Sequence, residues 1–276
     1  MQVVNAQQFL DRLKEEIEKD SITLPTLPEV ALKVRAAVED GNTTASRLAD
    51  LIAEDAALSA RLLQVANSPL YRARTEITNL QIAITRLGYD TVRTLITALA
   101  MKQLFQPDSA LLERYFRDIW RTSVEVAAIS RALATLTPHL NAEQALLAGL
   151  IHQIGKLPIL VLANCNREPA KDQAALDQLL DELHPTIGAL ILSHWNFPET
   201  LRRVVSEYRQ WDRQTADGEA DYVDIIQVAY LEHLADQGKE PPVDTTAIGA
   251  FSRLGLTPDI EVVEIEGIDA TRQIFA

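Results

Sequence analysis

Apolar residues three and four positions apart recur along nearly the whole chain, and this spacing confines it to an all-α fold. Phe9, Leu10, Leu13 and Ile17 predict a first amphipathic helix. Val30, Val34 and Val38 line a second, with Pro28 at its first turn and Gly41 closing it. Thr43 or Thr44, Asp55, Thr78 or Asn79, and Asp90 stand where N-caps belong, each ahead of an apolar stripe. Pro107-Asp-Ser109 is the clearest break in the first half. Longer patterns follow over 110–136 and 142–162, and Pro158 is expected to kink or divide the second. His184-Pro185 should interrupt the pattern that starts at Gln173. The stretch from Gln210 to Glu219 reads as a loop, 223–234 and 245–254 as helices, and Glu261 to Glu266 as a short strand or a disordered end.

Composition narrows the function classes. The 276 residues carry 26 Lys and Arg against 39 Asp and Glu, for a net charge of -13. Nucleic acid and anionic membrane surfaces are repelled on average by such a chain. The pairs Arg72 with Arg74 and Arg202 with Arg203 read as solvated faces. No signal peptide is recognisable at the N-terminus. The run Leu157 to Ala163 is too short to cross a bilayer, so no membrane association is expected. A single cysteine, Cys165, excludes an intramolecular disulfide. A cytoplasmic location is the expectation.

The most informative motif is Gly149-Leu-Ile-His-Gln-Ile-Gly-Lys156. It resembles the signature of the HD phosphohydrolases, whose His-Asp pair holds catalytic metal, but here Gln153 follows His152. An Asp offers a divalent cation a full charge and a hard oxygen, while a Gln carbonyl offers a dipole. Opposite unit charges about 4 Å apart are worth roughly 4 kcal/mol at an effective dielectric of about 20.

Four further stretches extend the resemblance. They are Leu24-Pro-Thr-Leu-Pro28, Ile52 to Tyr71, Ile77 to Gly88, and His184-Pro-Thr-Ile-Gly-Ala189. With the first motif, they make the chain similar to the HDOD domain, a bacterial signalling relative of the HD enzymes. That resemblance implies an HD-domain-like helical fold, with an N-terminal helical lobe over 1–106 and an HD-like lobe over 107–235. A C-terminal helix and acidic tail would occupy 236–276. Aligned with an active HD site, the early His falls near Thr122 and the His-Asp pair at His152 and Gln153. A further ligand falls at His184, the usual later His pair near Glu207-Tyr208, and the late Asp near Tyr230.

The expected metal site is therefore vestigial, with no cofactor. His152 reads as a buried, hydrogen-bonded histidine, or else as a surviving ligand. His194 and Trp195 read as packing residues, His139 and His233 as surface residues, and Cys165 as a spectator thiol. Asn67, Ser68, Pro69 and Tyr71 form either a capped helix end, with Asn67 left-handed, or a docking turn. The expected function is a non-catalytic signalling or scaffolding module. Its partners would be signalling proteins, with cyclic-di-GMP enzymes, chemoreceptors and response regulators implied by the resemblance. The alternatives are a residual metal-dependent phosphohydrolase using Asp118, Glu125 or Asp224, and a nucleotide receptor without turnover.

Overall fold

The computed structural model describes residues 6–18, 25–71, 75–105, 110–166, 173–215, 218–258 and 267–275. Among them every regular element is helical. Within 1–106, the expected first lobe, lie α1 (Ala6–Glu18), α2 (Glu29–Glu39), α3 (Ala45–Ala53), α4 (Ala56–Ala66), α5 (Leu80–Leu87) and α6 (Tyr89–Leu104). Within 107–235, the expected second lobe, lie α7 (Ala110–Thr135), α8 (Ala142–Ile151), α9 (Lys156–Asn166), α10 (Gln173–His194), α11 (Glu199–Glu207) and most of α12 (Tyr222–Asp236). Short α13 (Gly249–Arg253) and α14 (Ile268–Phe275) follow. Several expectations fall outside the described residues: the side chains of Leu13, Ile17 and Cys165, the pair Arg72 and Arg74, the break at 107–109 with the lobe boundary at 106, and the tail over 261–266.

Local chemistry sets the helix starts. Thr44 accepts from the Arg47 N–H at 3.2 Å, Asp55 from Ala57 and Leu58 at 2.9 and 3.0 Å, and Asn79 from Ile82 at 3.2 Å. Each satisfies backbone donors that the first turn cannot pair. Asp90 is not a cap: α6 starts one residue earlier, after Gly88, whose φ of 84° favours glycine.

Two expectations about proline are corrected. The apolar run from Ala142 breaks at His152–Gly155 rather than at Pro158. Pro158 is the third residue of α9, where no intrahelical N–H bond is needed. In contrast, α10 continues unbroken through Pro185. Pro185 denies a donor to the Asp181 carbonyl, and Arg209 Nη1 approaches that oxygen at 3.4 Å instead.

Asn67 ends α4 with φ -92°, in the right-handed region rather than the left-handed one. Its amide donates to the carbonyls of Leu63 and Ile77 at 2.9 and 2.8 Å, and its oxygen accepts from the Ile77 N–H at 2.8 Å. These bonds pin the returning chain beside the short 3-10 turn Pro69–Tyr71.

One continuous core runs from Phe9 to Phe275 through both lobes. α7 and α8 approach closely because residue 149 is glycine; a Cβ there would strike the Ala127 backbone. The window Ala142–Asn164 is long and apolar enough to cross a membrane, more than the short run noted in the sequence. It is 89% buried inside the fold and divided between α8 and α9. The C-terminal segment ends in a docked helix, which the sequence reading did not anticipate. Ile268, Thr271 and Phe275 of α14 are buried, and Trp120 Nε1 donates to the Phe275 carbonyl at 3.2 Å.

Candidate functional site

The turn between α8 and α9 places two histidines around a close backbone contact. A Cβ on Gly155 would collide with the His184 carbonyl and the Gly188 N–H, so only glycine lets the start of α9 lie against α10. His152 closes α8 as its C-cap. Its Nδ1–H donates to the Gly149 carbonyl at 2.6 Å, an assignment that leaves Nε2 as an acceptor. That nitrogen is fully buried, with no hydrogen-bond partner among the described residues.

His184 is engaged at both ring nitrogens. Nδ1–H donates to the Leu180 carbonyl at 2.6 Å, and Nε2 accepts from the Tyr208 hydroxyl at 2.7 Å. The Gln153 side chain hydrogen-bonds the same hydroxyl. Gln153 N–H, Tyr208 O–H and His184 therefore form an uncharged chain of donors and acceptors. Tyr230 of α12 completes the cluster. The Tyr208 ring lies 5.1 Å from His152 and 5.5 Å from Tyr230, both edge-on, and Tyr230 lies 6.0 Å from His152.

Burial sets the charge state. It brings His152 from an ordinary 6.5 to about 3 and pushes the Tyr208 phenol well above its usual range. Burial also holds His184 well below its usual value, reinforced by the Lys156 ammonium. The cluster is neutral at pH 7. Beside it, Lys156 Nζ lies 3.8 Å from Asp181, which also accepts from Arg209 at 3.0 Å.

A catalytic metal centre usually takes at least three protein ligands. Among the described residues no three His, Cys, Asp or Glu side chains converge to hold one. His152 Nε2 is available, but His184 Nε2 is bonded to Tyr208. Thr122 is half-buried on α7. Asp118 pairs with Arg121 at 3.3 Å, Glu125 with Arg272 at 2.7 Å, and Asp224 with Arg213 and Arg253 at 2.7 and 2.6 Å. The residues present do not fit a divalent centre of the usual kind.

The model of the HDOD domain matches residues 24–211. The chain belongs to the HDOD family. Solved relatives share its HD-like all-helical fold. A candidate metal-dependent phosphohydrolase from Shewanella amazonensis SB2B is 27% identical, with TM-score 0.84, covering 98% of this chain and 99% of that one. An HDOD domain protein of unknown function from Geobacter sulfurreducens is 22% identical, with TM-score 0.68 and 98% coverage of both chains. An uncharacterized curated protein of Treponema pallidum (strain Nichols) is 23% identical over 192 residues, 64% of this chain. The HDOD chain spans about a third of that relative, 36% of its length.

Against this HDOD frame, the sequence reading missed a second buried centre. Asp224 joins Arg213 and Arg253, and its carboxylate also accepts from the Asp221 N–H at 3.1 Å. Asp221 and Asp224 form a capping box at the start of α12, and acidic residues three apart ahead of an apolar run were the available signal. His233, expected on the surface, is buried, with Nε2 2.9 Å from the Gln237 amide. Of the expected packing pair, Trp195 is buried and His194 exposed. At the Asn67–Tyr71 turn, Tyr71 is half-buried under Arg131, and Leu70 faces Gly267 at the start of α14.

Proposed function

We propose that this HDOD chain is a non-catalytic signalling or scaffolding module that acts by binding protein partners. The observation that carries the reading is the neutral ring cluster at the HD position. By the family alignment Tyr208, Tyr230 and Gln153 fall where metal chemistry asks for imidazoles and carboxylates; Tyr208 bonds His184 and Gln153, and Tyr230 packs edge-on against Tyr208. Such a cluster rigidifies the HD-like lobe and offers no charge to a cation. Cyclic-di-GMP enzymes, chemoreceptors and response regulators are the partner classes that the family pattern suggests.

Elemental mass spectrometry of dialysed protein, before and after adding manganese, iron and zinc, tests this reading. The expected result is metal far below one ion per chain and no phosphodiester turnover. Near-stoichiometric metal that disappears in His152→Ala, together with turnover, would overturn it. One observation favours that second reading, a residual phosphohydrolase: the buried, unpartnered Nε2 of His152. The Shewanella relative's name points the same way.

A further inference from the structure

A cavity of about 420 Å³ opens between α2 and α6 of the first lobe and α8 with the α10–α11 corner of the second. This is the size range of small-molecule sites. It lies apart from the ring cluster, and its walls carry two guanidiniums from different helices, Arg35 and Arg93. Arg35 is built into place. Its Nη1 and Nη2 donate to the carbonyls of Trp195 and Asn196, each at 3.1 Å, and its guanidinium lies 4.2 Å over the Phe197 ring. Asn196 takes φ 54°, the one positive φ at a non-glycine among the described residues, in the corner that receives Arg35. The two backbone bonds use only part of a guanidinium's five donors.

The remaining charges are weakly held. Glu39 stands 3.8 Å from Arg35 with its side chain 57% exposed, and Asp90 pairs with Arg93 at 3.2 Å with its side chain 84% exposed. Exposed pairs of this kind exchange readily for a better anion. The two guanidiniums repel across the cavity unless an anion sits between them: burial first, and then the charge of Arg93, lowers the Arg35 pKa from its ordinary value. Thr97 and Gln144 add a hydroxyl and an amide to the same walls. The net charge of -13 does not forbid an anion here, because screening at physiological salt acts beyond about 8 Å.

We propose that this interlobe cavity binds a small phosphate-bearing ligand, its phosphate held between Arg35 and Arg93. Planar guanidiniums match phosphate oxygens in pairs, and two of them lining one cavity suit a multi-oxygen dianion better than a single carboxylate. A ligand held this way touches both lobes and ties α6 to α8.

Calorimetric titration with inorganic pyrophosphate, AMP and adenosine tests the assignment. Pyrophosphate and AMP should bind saturably and adenosine should not. Arg93→Gln should weaken binding about tenfold or more, the scale of a lost charge-assisted hydrogen bond. Arg117→Gln, at an exposed arginine on α7, should leave binding unchanged. Arg93 reaches the surface, so an unaltered melting temperature would certify the fold of its variant; Gln144→Leu, which removes the amide on the opposite wall, should weaken binding too. No saturation at millimolar ligand, equal loss in Arg93→Gln and Arg117→Gln, or equal binding of adenosine would overturn the proposal. None of these outcomes bears on metal content, so the partner-binding reading is tested separately.

Discussion

Asp224 and Tyr230 lie six residues apart on α12, yet the first belongs to a buried centre made of full charges and the second to one made of none. Asp224 is fully buried and meets Arg213, whose side chain is 4% exposed, and Arg253, with Asp221 closing the network. His152, Gln153, His184 and Tyr208 are equally inaccessible, but they carry neutral amide, imidazole and phenol groups. The difference teaches what limits this fold. A buried ion costs several kcal/mol unless a partner meets it. The chain supplies two guanidiniums to the acid of α12, whereas the charge that acts most on the histidines is the ammonium of Lys156. The one fully buried carboxylate of α12 is committed to arginines, nearly two turns before Tyr230.

The most severe way to break the comparison is to discharge the charged centre. Asp224→Asn leaves Arg213 and Arg253 without their shared carboxylate and should cost about 3–5 kcal/mol in urea denaturation. A loss below about 1 kcal/mol would show that the arginines find water or other acids, and the two centres would no longer differ in kind.

The neutral centre should show itself through pH. The folded pKa of His152 is depressed to about 3 and that of His184 lies well below its ordinary value, so folding favours the unprotonated rings. This stability is fully present above about pH 6.5 and is lost as pH falls, because the unfolded chain takes up protons that the folded chain refuses. His152 should withdraw about 1.4 kcal/mol per pH unit below its unfolded value, or roughly 2 kcal/mol by pH 5, and His184 should add a loss of the same sign. His233, also depressed by burial, adds to the same slope. Unfolding free energies measured between pH 7.5 and 5 should fall accordingly. His152→Phe should remove one share of the slope while keeping the ring packing. A flat profile would mean that the imidazoles can charge inside the fold.

How much of this was legible in the sequence depended on how far each interaction reaches. Thr44, Asp55 and Asn79 were readable as caps because their partners lie two or three residues away. Pro185 was misread as a break because the compensating donor, Arg209, comes from beyond the next helix. Asp224 looked like a stray carboxylate because Arg253 arrives from 29 residues on. α14 did not stand out as a helix, because distant contacts give it its place, Trp120 and Glu125 of α7 among them. His152, His184, Tyr208 and Tyr230 came into view as candidates through the family pattern. The hydrogen bond between His184 and Tyr208 did not, since it depends on the end of α11 carrying the Tyr208 hydroxyl to 2.7 Å from His184 Nε2 on α10.

Two smaller substitutions sharpen the comparison to single bonds. Tyr208→Phe keeps the ring contacts but leaves His184 Nε2 buried without a donor, a loss of about 1–3 kcal/mol. Arg272→Gln breaks an ion pair with Glu125 that is as short, at 2.7 Å, as the Arg213–Asp224 pair. Both of its side chains are 27% exposed, so water and salt already weaken the attraction. Its cost should stay within about 1 kcal/mol, read from the same denaturation midpoints, and should shrink at high salt. If Arg272→Gln cost as much as Asp224→Asn, bond length rather than burial would set the energy of these centres. The contrast along α12 would then be one of composition alone.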